Sequence, residues 1–220
     1  MPHTVSSLFT SADLERIRQA VLEAEARTSG EIVPYVVDHS DHYEEADWRA
    51  AALFAALALA TFTFLHSLTA VWLPLDFAEI VAVAFVAGGL GWGLVRASAA
   101  ARRFFAGSRL IERRVAQRAA EAFVSEEVFN TRDRTGILIF LSLVEHRVMV
   151  VGDSGINAKV KADEWHGIVQ TIVQGIASGR PTDGLVQGIG QSGALLAGHG
   201  VERRTDDRDE LPDSLRMSDE

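Results

Sequence analysis

Four carboxylates occupy positions at which predicted strands and helices end or begin, and they are the first candidates for chemistry: Asp38, Asp153, Asp163 and Glu164. Asp38 follows a predicted strand over residues 31–37, and Asp153 follows a predicted strand that ends at Gly152. If these strands are parallel, both carboxylates emerge at one rim of the sheet, where ligands bind in open α/β folds. The other two begin the next predicted helix.

Carboxylate oxygens beside a turn of backbone carbonyls suit the hard cations Ca²⁺ and Mg²⁺. The four residues therefore form a predicted metal site, with Ca²⁺ or Mg²⁺ as the cofactor it would take. The alternative is structural: Asp153 stabilises the turn over residues 152–155, and Asp163 and Glu164 are favourably placed at a helix N-terminus. The sequence predicts no other cofactor.

Two further motifs have the spacing of known sites but lack the required context. Gly188-x-Gly190-x-x-Gly193 has dinucleotide spacing, yet it lies within a helical pattern and follows no strand. Gly152-Asp-Ser-Gly155 has the form of a nucleophile turn, but a triad requires a positioned base, and nothing places His146 or His166 beside Ser154. We predict no catalytic residue from either motif.

Residues 39–49 are rich in acidic residues and histidine. Asp38-His39-x-Asp41-His42 contains metal-ligand residue types without the spacing typical of one metal. We interpret the segment as a solvated linker that leads into an apolar region.

That apolar region, residues 50–96, is predicted to form a transmembrane helical hairpin. Residues 50–73 carry no charge, and residues 77–95 carry only Glu79; about 20 apolar residues suffice to cross a bilayer. Pro74-Leu75-Asp76 predicts the turn, and Trp48, Trp72 and Trp92 lie toward the ends, where aromatic residues favour the interface. A buried hairpin in a soluble core is the alternative.

Arginines set the predicted orientation. Six follow the second span: Arg96, Arg102, Arg103, Arg109, Arg113 and Arg114. Residues 66–76 contain neither Lys nor Arg, so the positive-inside rule places both ends of the hairpin in the cytoplasm of a bacterial inner membrane. Gly89-x-x-x-Gly93 permits close helix approach, either within the hairpin or in a homodimer.

The remaining segments predict a mixed sheet flanked by helices. Thr10 to Asp13 resembles a capping box before an amphipathic helix, and residues 31–37 form a strand in which Pro34 favours an edge or a bulge. The apolar runs on either side of Glu145-His146 are too close for a crossover, so they predict an antiparallel hairpin at the centre of the sheet.

Thr28-Ser29-Gly30-Glu31-Ile32, Arg132-Asp-Arg-Thr-Gly136 and Gly152-Asp-Ser-Gly-Ile-Asn157 resemble the TPM domain, as does the acidic segment around Glu210-Leu-Pro212. The resemblance covers residues 8–37 and about 118–215. It implies an α/β/α sandwich, here interrupted by the hairpin. The family includes thylakoid-lumen photosystem II repair proteins, many bacterial membrane proteins and members described as acid phosphatases.

The predicted organisation is residues 1–38 and 97–200 as one split domain, 39–49 as a linker, 50–96 in the membrane and 201–220 as an acidic tail. A net charge of −9 and a pI near 5.3 argue against nucleic acid as a partner. We expect a membrane-anchored, non-catalytic module that binds a protein partner. The competing hypothesis is a divalent-metal-dependent phosphatase that uses the rim of Asp38 and Asp153.

Overall fold

The structure, a computed structural model, describes residues 8–68, 76–203, 205–206 and 209–218. Its contacts define two compact units, residues 1–40 with 113–220 and residues 41–112. Pro74 and Leu75 of the predicted turn and the interfacial Trp72 lie outside the described residues. The elements are α1 Ser11–Glu25, β1 Glu31–Val37, α2 Glu44–Leu68, α3 Phe77–Ala97, α4 Ala99–Ala106, α5 Ser108–Ser125, β2 Gly136–Ser142, β3 Arg147–Gly152, α6 Ser154–Asn157, a 3-10 helix Ala162–Trp165, α7 His166–Ala177, α8 Pro181–Gly198 and β4 Arg216–Ser218.

The first unit contains a four-stranded mixed sheet in the order β3-β2-β1-β4. β1 pairs in parallel with β2, from Glu31 opposite Gly136 to Val37 opposite Ser142. β2 and β3 form the predicted antiparallel hairpin. The fold is therefore the mixed α/β class that the sequence predicts.

Two details of the predicted sheet are wrong. In the described sheet β3 is an edge strand and is half-buried, so the hairpin as a whole is not central. β1 is an inner strand, although Pro34 lies in it. Pairing with β4 begins only at Tyr35, so Pro34 lies just before that ladder and has no β4 partner.

Every residue of β1 and β2 is buried, and because side chains alternate between the faces of a sheet, both faces of these strands are covered. Ile32 and Val36 join Ile139 in a core completed by helices. On the opposite face Tyr35 and Phe140 stack with their ring centroids 5.8 Å apart. Burial of both faces explains the continuous apolar run of β2.

Helix α1 begins at the predicted capping box. The Thr10 side chain accepts a hydrogen bond from the backbone of Asp13, and the Asp13 carboxylate accepts one from the backbone of Thr10. Ile17, Val21 and Ala24 then face the core. The local signals for this helix are confirmed.

The second unit contains α2 and α3, which pack against each other. A Cβ atom at Gly91 would lie 2.7 Å from the Ala50 carbonyl, and one at Gly88 would lie 3.3 Å from that of Ala51. Cβ atoms at Gly89 and Gly93 would meet nothing within 4 Å, so these two glycines do not pack the hairpin.

Residues Glu44–Ser67 and Phe77–Ala97 are long and apolar enough to cross a membrane, a test that core helices of soluble proteins also pass. Only 6% and 17% of their most apolar stretches are buried in the described structure.

Candidate metal centre

The structure does not bring Asp38 and Asp153 to one rim. Asp38 follows Val37, which lies opposite the last residue of β2, Ser142. Asp153 follows Gly152, which lies opposite Ile137 near the start of β2. The shared rim is therefore wrong, because β3 runs antiparallel to β1 and the two carboxylates lie at opposite ends of the sheet.

Asp153 has structural partners. Its Oδ1 accepts a 2.6 Å hydrogen bond from the backbone of Ser154 at the start of α6, and its Oδ2 lies 3.0 Å from Nε of Arg134. The side chain is buried. A Cβ atom at Gly155 would lie 2.3 Å from the Asp133 carbonyl, which accounts for the glycine in this motif.

Asp163 and Glu164 lie in the 3-10 helix and face different surroundings. Glu164 accepts from the Lys161 backbone at 2.8 Å and pairs with His199 at 2.8 Å. Asp163 is exposed and lines a cleft of about 550 Å³ beside β3, together with Trp165 and His166.

The glycines with dinucleotide spacing lie inside α8, as the helical pattern predicts. A Cβ atom at Gly188 would lie 2.4 Å from Ile172, and one at Gly193 would lie 2.8 Å from the Ala24 Cβ. Gly190 has open space around its Cβ position. Two of the three glycines thus allow close packing of α8 on α7 and α1.

A different cluster of carboxylates could hold a metal ion. One carboxylate oxygen from each of Glu25, Glu31 and Asp209 lies within 4.8 Å of the other two. Two oxygens bound at about 2.3–2.6 Å on opposite sides of Ca²⁺ are up to about 5 Å apart. The spacing of this cluster therefore fits Ca²⁺ within the described part of the chain.

The turn between α1 and β1 positions two of these carboxylates. Thr28 donates its hydroxyl to the Val201 carbonyl at 2.6 Å and accepts from the Gly30 backbone at 3.1 Å. The Glu31 backbone donates to the Thr135 carbonyl at 3.2 Å. Glu25, the last residue of α1, accepts from the Ile32 backbone at 2.7 Å, so both carboxylates are held beside the start of β1.

The third carboxylate comes from a C-terminal segment that docks on the same end of the sheet. Glu31 accepts a 3.2 Å hydrogen bond from the backbone of Leu211. The Arg132 backbone donates to the Glu210 carboxylate at 3.1 and 3.2 Å, and its guanidinium lies 2.9 Å from Asp206. These contacts place Asp209 beside Glu25 and Glu31.

Ionisation of the carboxylates in this cluster is unfavourable. Burial is the main cause that raises the pKa of Glu25 to about 9 and that of Glu31 to about 7. Burial and the charge of Asp213 also raise the pKa of Asp209. The Oδ1 atom of Asp213 is itself buried without a hydrogen-bond partner. A divalent cation bound by Glu25, Glu31 and Asp209 would favour their ionised forms.

The fold is a mixed α/β domain in which three carboxylates converge between the N-terminal turn and the C-terminal segment. No protein-family model and no curated protein matches the sequence. A similar solved structure is the NMR structure of the BA42 protein from the psychrophilic bacterium Bizionia argentinensis. It matches with a TM-score of 0.60 and 21% identity over 98% of this chain and 99% of that chain, a likeness of fold alone.

Sequence reasoning did not assign Glu25, Glu31 and Asp209 to a site. Asp209 is far from the other two along the chain, and only the pairing of the C-terminal segment with the turn after α1 unites them. The available signal was the density of carboxylates over residues 206–213.

Proposed function

We propose that the protein is a TPM-like, membrane-anchored module whose α/β domain binds a divalent cation and, through its folded surface, a protein partner. The cation links the C-terminal segment to the turn between α1 and β1. Helices α2 and α3 anchor the domain in a bacterial inner membrane, with both termini and the domain in the cytoplasm.

One observation carries the proposal, namely the convergence of Glu25, Glu31 and Asp209 within 4.8 Å. Glu31 is only 5% exposed, and an isolated buried carboxylate is costly unless it is neutralised or binds a cation. Because the three ligands come from both ends of the split domain, cation binding would stabilise the assembled fold. A bound cation would thereby fix the surface that a partner meets.

Titration of the full-length chain with Ca²⁺ and with Mg²⁺ after chelator treatment tests this proposal. A cation at 100 times its dissociation constant stabilises the folded state by about 2.7 kcal/mol. We expect calorimetric binding and a higher melting temperature, both lost in Glu31→Gln combined with Asp209→Asn.

The matched control is Asp163→Asn with Glu164→Gln, which also removes two carboxylates from the same unit. This control should bind the cation as the unmodified chain does. Unchanged melting of the unmodified chain on addition of either cation, with no heat of binding, would contradict the proposal.

The competing phosphatase hypothesis loses its geometric basis. It requires Asp38 and Asp153 at one rim, whereas they lie at opposite ends of β2. A non-catalytic role is therefore the function we propose.

A further inference from the structure

Helix α4 is hydrogen-bonded to the end of the helical hairpin at which α2 begins and α3 ends. Arg49, near the start of α2, donates to the carbonyls of Phe105 at 3.1 Å and Ala106 at 2.8 Å. Arg96, near the end of α3, lies 3.5 Å from Asp47 of α2. The start of α2, the end of α3 and the short helix α4 therefore meet at one end of this unit.

Aromatic side chains surround the same end. Trp48 is 71% exposed, and Phe104 on α4 is 79% exposed. The guanidinium of Arg96 lies 4.7 Å from the ring centroid of Trp92, a cation–π contact. Aromatic residues with exposed rings are typical of the membrane–water interface, where the ring sits at headgroup level.

Positive charge is concentrated here although the chain as a whole is acidic. Residues 96–114 contain six arginines and one acidic residue, Glu112, in a chain of net charge −9. In the described part of the chain neither Arg102 nor Arg109 forms an ion pair with a carboxylate. The Nε atom of Arg102 is buried without a hydrogen-bond acceptor.

We propose that the juxtamembrane patch, formed by Trp92, Arg96, Arg102, Phe104 and Arg109, binds the phosphate headgroups of anionic phospholipids. The guanidinium groups match the phosphate in charge and in hydrogen-bond geometry. Phe104 enters the boundary of the acyl chains, as the apolar face of an interfacial helix does. This inference rests on the membrane anchoring in the proposed function and adds lipid selectivity to it.

The test uses the full-length chain reconstituted in phosphatidylcholine vesicles. Electron spin resonance with spin-labelled phosphatidylglycerol or phosphatidylcholine measures the relative association of each lipid with the protein. We expect a several-fold preference for phosphatidylglycerol that falls in high salt, because surface charge interactions are screened. The preference should approach unity in Arg102→Gln combined with Arg109→Gln.

The matched control is Arg16→Gln with Arg18→Gln, which removes the same charge from α1, at exposed Arg16 and half-buried Arg18. This control should keep the preference. Equal association of the two lipids with the unmodified chain, or a preference retained without Arg102 and Arg109, would overturn the inference.

Extraction of the vesicles at alkaline pH tests membrane anchoring separately from lipid selectivity. Release of the chain from the vesicles would contradict membrane anchoring and thus the proposed function. Retention of the chain without lipid preference would overturn the lipid-binding inference alone.

Discussion

Glu31 at the start of β1 accepts a hydrogen bond from the backbone of Leu211, 180 residues further along the chain. This bond joins the first strand to the C-terminal segment at the place where the carboxylates of Glu25 and Asp209 converge. Attachment of the C-terminal segment therefore involves carboxylates whose protonation changes with pH.

The stability of the cation-free protein should decrease as pH rises. Burial raises the pKa of Glu31 to about 7 and that of Glu25 to about 9, from 4.5. In the unfolded chain both groups titrate near pH 4.5, so their protonation contributes its full stabilisation of the folded state below pH 4.5. This stabilisation is lost as the pH rises through about 7 and then about 9. Thermal melting in chelator across this range measures the effect.

Two comparisons check that assignment. Glu31→Gln cannot ionise, so its melting temperature should change less with pH than that of the unmodified chain. Saturating Ca²⁺ should also flatten the profile because it stabilises the ionised carboxylates. A melting temperature that rises with pH in chelator would contradict the assignment.

Substitution by alanine at two glycines of α8 should change the free energy of unfolding in opposite directions. Gly193→Ala places a Cβ atom 2.8 Å from that of Ala24 on α1, and such overpacking costs about 1–3 kcal/mol. Gly190→Ala enters open space and should gain up to about 1 kcal/mol from helix propensity. Urea unfolding of both variants gives the two free energies, and equal effects would refute the packing assigned to Gly193.

Substitution of Asp153 should destabilise the fold more than substitution of Asp163, and neither substitution should change cation binding. Asp153→Ala removes the cap of α6 and the contact with Arg134, and loss of a cap costs about 1–2 kcal/mol. Asp163 is exposed, so Asp163→Ala should change stability by less than about 0.5 kcal/mol. Urea unfolding and Ca²⁺ titration measure both properties, and loss of Ca²⁺ binding in Asp153→Ala would return Asp153 to the metal site.

Reporter fusions should give the orientation of the hairpin. Six arginines follow the second candidate span, whereas residues 66–76 contain neither Lys nor Arg. A reporter fused at Ser67 should be active outside the cytoplasm, and one fused at the C-terminus should be active inside it. The reverse pattern would place the α/β domain outside.

Replacement of residues 41–112 by a flexible Gly/Ser linker should leave the α/β domain folded. Ser40 remains in this variant and keeps its 2.9 Å bond from its backbone N–H to Glu145. Closing a longer loop costs only about 0.6 kcal/mol per doubling of length. Thermal melting and gel filtration should show a cooperative, monomeric domain.

The matched comparison is residues 113–220 alone, which lack α1 and β1 and leave one edge of β2 unpaired. We expect this fragment to aggregate or to melt without cooperativity. A cooperative monomer from 113–220 would show that the N-terminal segment is dispensable for the fold.

Local features of this fold could be predicted from the sequence because their signals lie within a few residues. The capping box at Thr10 and the hairpin of β2 and β3 are of this kind, and both are confirmed. The length of β2 and its burial on both faces follow from its continuous apolar run.

Features set by strand direction and long-range pairing could not be predicted in the same way. The relative position of Asp38 and Asp153 depends on whether β1 and β3 are parallel, and an apolar run does not encode direction. Asp209 lies near Glu25 because the C-terminal segment docks there, with the Leu211 backbone donating to the Glu31 carboxylate. The candidate metal centre therefore became visible only when the chain was folded.

The parallel pairing of β1 with β2 sets an order of events during synthesis. The hydroxyl of Thr135 donates to the Ser29 carbonyl across 106 residues, and α2 and α3 are made in between. At about 5–20 residues per second, the ribosome needs roughly 5–20 s to supply the partner of β1. Throughout that interval the nascent α1 and β1 lack their sheet, so both helices of the hairpin are synthesised before the α/β domain can fold.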